Sequence, residues 1–111
     1  MRTLAQPSAL RVDLPLPSIA ELCRRYGVRE LAVFGSALRD DFTSQSDVDF
    51  LVTFRNDDAG PWMAKHLALR EELARLTNRH VDLVTRHAIE SSPNYIRRDH
   101  ILESAQVVYE E

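Results

Sequence analysis

The sequence is short of several things that would mark other classes of protein. It has one cysteine, Cys23, in 111 residues, so no internal disulfide can form. Cys23 falls on the apolar stripe of a predicted helix, which suits a buried structural thiol rather than a nucleophile. No run of about 18 apolar residues occurs, so no transmembrane helix is expected. The opening stretch MRTLAQPSALRVDLPLP lacks the roughly 7–15-residue apolar block of a signal peptide, and a cytoplasmic location is the expectation. Lysine and arginine never run longer than two in a row, and the formal net charge is −3. Both facts argue against a nucleic-acid groove, which shows as clustered basic residues. What remains is an ordinary globular balance, 44% hydrophobic and 28% charged. The length suits one domain with a modest core.

The chain is organised around residues 31–52, LAVFGSALRDDFTSQSDVDFLV. An apolar run, Leu31 to Phe34, stops at Gly35-Ser36. A second, Val48 to Val52, begins between two carboxylates, Asp47 and Asp49. Both runs are short, rich in β-branched and aromatic residues and bounded by turn chemistry, so both read as strands. Alternation along a strand puts Asp47 and Asp49 on one face, with Cα atoms about 6.5 Å apart. At an effective dielectric near 20, two such charges repel by roughly 3 kcal/mol. A divalent cation turns that repulsion into attraction, and Mg²⁺ prefers oxygen ligands. Two carboxylates solvated at a strand end are the plain alternative. Gly35 lets the chain turn and lets a ligand approach the backbone. Ser36 is placed to cap a short helix over Ala37 and Leu38, whose free N–H groups suit phosphate. An ordinary strand-to-helix turn is the alternative there. Taken together, the two features describe one site, with phosphate at Gly35-Ser36 and metal at Asp47 and Asp49.

The flanking chain reads as a small α/β domain. Residues 1–17 carry three prolines and no periodicity, so they are expected to be a poorly ordered lead-in, with a short extended piece at 10–14. A helix is expected from Ser18, where Ser18 and Glu21 fit a capping box and Ile19, Leu22, Cys23 and Tyr26 form the apolar face. Gly27 fits the position just past its end. Residues 55–61 form a connecting loop, in which Asp57 and Asp58 are solvated. A helix follows over 62–76, with Trp62, Leu69, Leu73 and Leu76 on one face, Met63 and Leu67 beside them, Glu71 pairing with Arg75, and Asn78 as cap. His66 on it reads as a partly buried side chain. Residues 80–85 form a third strand, in which Asp82 interrupts an apolar alternation; an edge position facing water would accommodate it. A last helix starts near Ser92-Pro93, with Tyr95, Ile96, Ile101, Leu102 and Ala105 on its apolar side. Arg97, Arg98 and His100 read as solvated, with contact to a nucleotide or a partner as the alternative. Residues 107–109 close with a short strand.

Gly35-Ser36, a ten-residue gap and Asp47-Val48-Asp49 resemble the signature of the DNA polymerase β-like nucleotidyltransferase superfamily. The string GSALRDDFTSQSDVDFLV, with Arg39, Ser46, Asp47 and Asp49 in place, resembles its minimal nucleotidyltransferase (MNT) branch, the MntA-type antitoxins. Asp40 stands where members often carry glycine. VDLVT and the Pro-x-Tyr-Ile-Arg-Arg helix extend the resemblance to roughly residues 18–110.

The resemblance implies a polymerase β-like fold, a small mixed β-sheet flanked by helices, with residues 18–111 as one minimal nucleotidyltransferase domain. It implies Asp82 as a third carboxylate beside Asp47 and Asp49, the three holding two Mg²⁺ ions. Gly35, Ser36 and Arg39 would then bind the nucleotide, with ATP as substrate. It further implies a helical HEPN-domain ribonuclease toxin as partner, inactivated by AMP transfer to a tyrosine hydroxyl. Two other readings stay open. One is an antitoxin that neutralises its toxin by contact alone. The other is a nucleotidyltransferase of a small hydroxylated molecule, against which the lack of a second substrate-binding domain speaks. The shortage of basic clusters argues against direct nucleic-acid binding, although many enzymes of the superfamily act on nucleic acids.

Overall fold

The computed structural model describes residues 2–3, 10–58 and 60–111. In chain order they form β1 (Arg2–Thr3), α1 (Leu16–Arg25), β2 (Val28–Phe34), β3 (Val48–Phe54), α2 (Ala64–Thr77), β4 (Val81–Thr85), α3 (Arg86–Glu90), α4 (Tyr95–Ser104) and β5 (Gln106–Glu110). The strands make one sheet in the order β1-β5-β2-β3-β4. β3 and β4 run parallel, and the other neighbours are antiparallel. This is the small mixed sheet with flanking helices expected from the sequence.

Strand alternation splits the core into two layers. On one face Leu31, Val33, Val48, Phe50, Val52, Val81 and Leu83 pack with Ile19, Leu22 and Cys23 of α1 and Leu69 and Leu73 of α2. On the other, Ala32, Phe34 and Leu51 pack with Ile89 of α3 and Ile101 of α4. Cys23 is wholly buried, and burial pushes its thiol up to about 12, against a smaller opposing pull from Arg24. Such a thiol is inert at neutral pH. His66 is partly buried, and its Nε2 makes a 2.7 Å hydrogen bond to the Leu83 carbonyl.

Several local expectations are corrected. α1 starts at Leu16, with Pro15 at the cap position and no side-chain cap, so the Ser18–Glu21 capping box does not form. A proline in the first turn costs no hydrogen bond, because its missing N–H would have had no partner there. Leu10, Val12 and Leu14 are buried in the main core, and the Arg11 N–H donates to the Ala37 carbonyl at 2.8 Å. From Leu10 onward, then, the expected lead-in packs against the domain; residues 4–9 lie outside the described residues. Met63 and Leu67 are exposed, and Arg75 pairs with Glu72 rather than Glu71. α4 is capped by Asn94, whose Oδ1 accepts the Arg97 N–H at 3.2 Å, and not by Ser92-Pro93. Tyr95 and Ile96, expected on the apolar side, are 62% and 71% exposed. The short α3, capped by Thr85 Oγ1, has too few residues to show a helical period in the sequence. Among the described residues no helix is long and apolar enough to cross a membrane.

Candidate active site

Gly35 ends β2 and opens a 3₁₀ turn, Gly35–Leu38. Its φ of +76° lies in the region that L side chains rarely adopt. A β-carbon on it would stand 2.4 Å from Asp49 Oδ2. Glycine is therefore required twice over, for the turn and for the approach of the carboxylate. Ser36 does not cap the turn: the residue preceding the turn is Phe34, and no side chain caps it. Ser36 serves the two aspartates instead. Its N–H hydrogen-bonds to the Asp49 carboxylate, and its Oγ donates to the Asp47 carbonyl at 3.1 Å.

The sheet sets the carboxylates. Phe34 pairs with Asp49 across β2 and β3, and Asp49 pairs with Asp82 across β3 and β4. The row two residues along the strands, Ala32, Leu51 and Val84, belongs to the α3/α4 side of the core. Alternation thus puts Asp49 and Asp82 on that same face, just beyond its apolar layer. Asp49 is half-buried, and its carboxyl is raised above the ordinary aspartate value, first by desolvation, then by the charges of Asp82 and Asp47. The Ser36 N–H and Arg39 oppose the rise. Asp47 sits one residue before β3. Its half-exposed carboxylate faces His80 Nδ1 at 3.3 Å. Asp82 is exposed.

A cleft of about 570 Å³ opens over this ground. Gly35, Ser36, Arg39, Asp47 and Asp49 line one side, together with Gln45 and Ser46. The structure therefore gathers five of the six residues picked out from the sequence around one cleft. Asp82 stands beside Asp49 in the sheet but outside the cleft lining. The opposite wall is α4, which contributes Arg97, His100, Ile101 and Ser104. Sequence reading took Arg97 and His100 as solvated. The available signal was their spacing with Ser104, i, i+3 and i+7, which puts all three on one helix face. Of the two guanidinium groups in the cleft, Arg39 is held by Asp41 at 3.2 Å. Arg97 has no carboxylate partner among the described residues.

Three carboxylates and no sulfur form a donor set suited to a hard divalent cation. The Asp49 carboxyl is raised first by desolvation and then by the charges of Asp82 and Asp47, and a cation would relieve that like-charge part. Among the described residues, no three His, Cys, Asp or Glu side chains close up as an ion cage, and Asp47 is turned to His80. The residues fit the ion in kind, and Asp47 must leave His80 to complete the set.

Known proteins resemble the chain in sequence and fold. The nucleotidyltransferase domain family matches residues 18–108. The protein adenylyltransferase MntA of Thermococcus cleftensis is 42% identical over 71 residues, which are 64% of this chain and 69% of the relative. A solved structure of a candidate minimal nucleotidyltransferase superposes with a TM-score of 0.61 at 30% identity, over 80% of this chain and 84% of that one. A toxin–antitoxin crystal structure with AMP-PNP shares the fold, with a TM-score of 0.64 at 20% identity over 88% and 75%.

Proposed function

The chain belongs to the nucleotidyltransferase domain family, and on that premise we propose that it transfers AMP from ATP to a tyrosine hydroxyl of a HEPN-domain ribonuclease toxin, acting in the cytoplasm as the antitoxin. The observation that carries this reading is the row of Asp49 and Asp82 in register on parallel strands, with the Gly35 backbone against Asp49 at the floor of the cleft. The adenylyltransferase relative and the toxin–antitoxin neighbour support the choice of reaction and partner.

In this reaction the phenolic oxygen bonds to the α-phosphorus and the bond between the α-phosphorus and the bridging oxygen breaks, so that pyrophosphate leaves. Asp82 takes the phenolic proton, and its exposure lets it pass that proton to water. Asp49 is held in place from both sides, by the Ser36 N–H and by its strand neighbours. Ser36 Oγ turns from the Asp47 carbonyl to a phosphate oxygen, and Arg39 exchanges Asp41 for the triphosphate. Arg97 faces the same space from α4 with its charge uncommitted, which suits an anionic ligand. Asp47 and Asp49, with Asp82 for one of the two ions, would hold Mg²⁺, which supplies charge neutralisation at the leaving pyrophosphate and a lowered pKa at the attacking hydroxyl. A protein acceptor is favoured over a small molecule by Tyr95 and Ile96, an exposed apolar pair next to cleft-lining Arg97.

The test uses ATP labelled at either the α- or the γ-phosphate, incubated with Mg²⁺, this chain and the protein of the adjacent reading frame. Label on the partner from the α-position alone is expected, and Asp47→Asn with Asp49→Asn should abolish it. Transfer of γ-label would contradict AMP transfer. A stable complex without any label would make the protein a contact-only antitoxin.

A further inference from the structure

Asp47 lies outside the strand ladder, at the end of a loop; Ser36 Oγ holds its carbonyl at 3.1 Å, and the loop before it needs an anchor of its own. We propose that Arg79 is the positioning residue that fixes this loop, and with it the backbone from which Asp47 reaches a metal ion. The inference rests on the carboxylate site proposed above.

Loop 42–46 folds on itself. The Ser46 N–H donates to the Thr43 carbonyl at 3.1 Å, the Thr43 N–H donates to Ser46 Oγ at 2.9 Å, and the Gln45 N–H donates to Thr43 Oγ1 at 3.2 Å. These short-range bonds shape the turn but do not anchor it to the domain. Arg79 supplies the anchor. Its Nη1 donates to the Thr43 carbonyl and to the Ser46 carbonyl, both at 2.9 Å, and its guanidinium stacks 4.4 Å from the Phe42 ring centre. One planar cation therefore holds both ends of the loop. Such a head can donate in its plane while presenting a flat face to an aromatic ring, whereas an ammonium has no planar face and no fixed fork of donors.

The base of Arg79 is fixed as well. α2 ends at Asn78 in a left-handed cap, and the Arg79 N–H donates to the Ala74 carbonyl at 3.2 Å. His80, the next residue, accepts the Val48 N–H at its carbonyl at 3.1 Å and faces Asp47 with its ring. Residues 79 and 80 thus bracket Asp47 from the loop side and from the strand side. The loop contributes Gln45, Ser46 and Asp47 to the cleft lining, and none of its residues from 43 to 46 is buried. What Arg79 secures is a wall of the site more than a part of the core.

Calorimetric titration with Mn²⁺ in the presence of AMP-PNP tests this without relying on turnover. Wild type, Arg79→Ala, Arg79→Lys and Asp49→Asn are compared, each with a thermal melt. The expected result is a folded Arg79→Ala protein whose Mn²⁺ affinity is lower by about 10–100-fold, the usual size for loss of a group that orients a ligand. Arg79→Lys should recover only part of it, and guanidinium ion added below denaturing concentration should restore binding to Arg79→Ala. Unchanged Mn²⁺ affinity in a folded Arg79→Ala protein would overturn the inference while leaving the carboxylate site standing. Wild-type binding that Asp49→Asn does not weaken would overturn the carboxylate site and the inference with it. If Arg79→Ala does not fold, Arg79→Lys decides, and unfolding of both would assign Arg79 to stability and reject the positioning role.

Discussion

Gly35 and Asp49 show how tightly the site is drawn. A methyl group on Gly35 would collide with Asp49 Oδ2 and would sit at a positive φ. Gly35→Ala should therefore move the carboxylate that the chemistry depends on. Activity should fall by about 100-fold, the scale for a misplacement near 1 Å, and stability should fall by about 1 kcal/mol or more. Label-transfer kinetics and a urea melt check both. Asp49 carries a second consequence. Its carboxyl is raised above 3.8 by desolvation and by its acidic neighbours, so the folded state holds its proton more tightly than the unfolded chain does. Stability contributed by that group is present at low pH and is lost as pH rises from about 3.8 through the folded value. Asp49→Asn removes the charge and can still accept the Ser36 N–H. The variant should melt higher than wild type at neutral pH, with the difference shrinking as pH falls through that window. A variant that melts lower at neutral pH would show that the Asp49 charge stabilises the fold.

Among the elements, α4 adds most to what the carboxylates alone suggest. Its polar stripe of Arg97, His100 and Ser104 faces the cleft, while Ile101 enters the core beside Phe34 and Leu51. Arg97→Ala should raise the KM for ATP about ten-fold or more, the effect of losing a charged hydrogen bond of about 1.5–3 kcal/mol. The melting point should stay close to wild type, since the side chain is exposed. An unchanged KM in steady-state kinetics would remove α4 from the nucleotide site. This wall also marks where sequence reading stopped. The closeness of Gly35 and Asp49 was legible because turn chemistry and strand alternation are local, whereas Asp47 lies before β3 and turns to His80, and Ser36 bonds the aspartates instead of capping the turn. Asp82 was reached only through resemblance, because its place beside Asp49 depends on register between strands separated by all of α2. Arg97 and His100 are exposed, as the sequence suggests, but their place on the cleft wall depends on packing that a polar helix face does not reveal. The Ser18–Glu21 cap was expected because its local pattern was sound. Burial of Leu10, Val12 and Leu14 instead draws the chain in earlier and starts α1 at Leu16.

At the scale of the molecule, the two-sided sheet divides the work. The face under α1 and α2 holds the larger core, including the inert Cys23. The face under α3 and α4 has the smaller core and ends in acid residues at an open cleft. The segment from Leu10 packs on the larger core and ties it to the Gly-Ser turn: Arg11 donates to the Ala37 carbonyl within that turn and pairs with Asp40 at 2.6 Å. That pairing gives Asp40 a partner at a position where the resembling proteins often carry glycine. The α/β class and the helices α1, α2 and α4 were legible from periodicity, whereas this tie was not, because a proline-rich stretch shows no period. The most direct test of the account is the intact mass of both chains after incubation with ATP and Mg²⁺. The account predicts that the partner gains one or more AMP units and that the gain disappears with Asp47→Asn and Asp49→Asn. A partner of unchanged mass, or a gain that survives the double substitution, would contradict it.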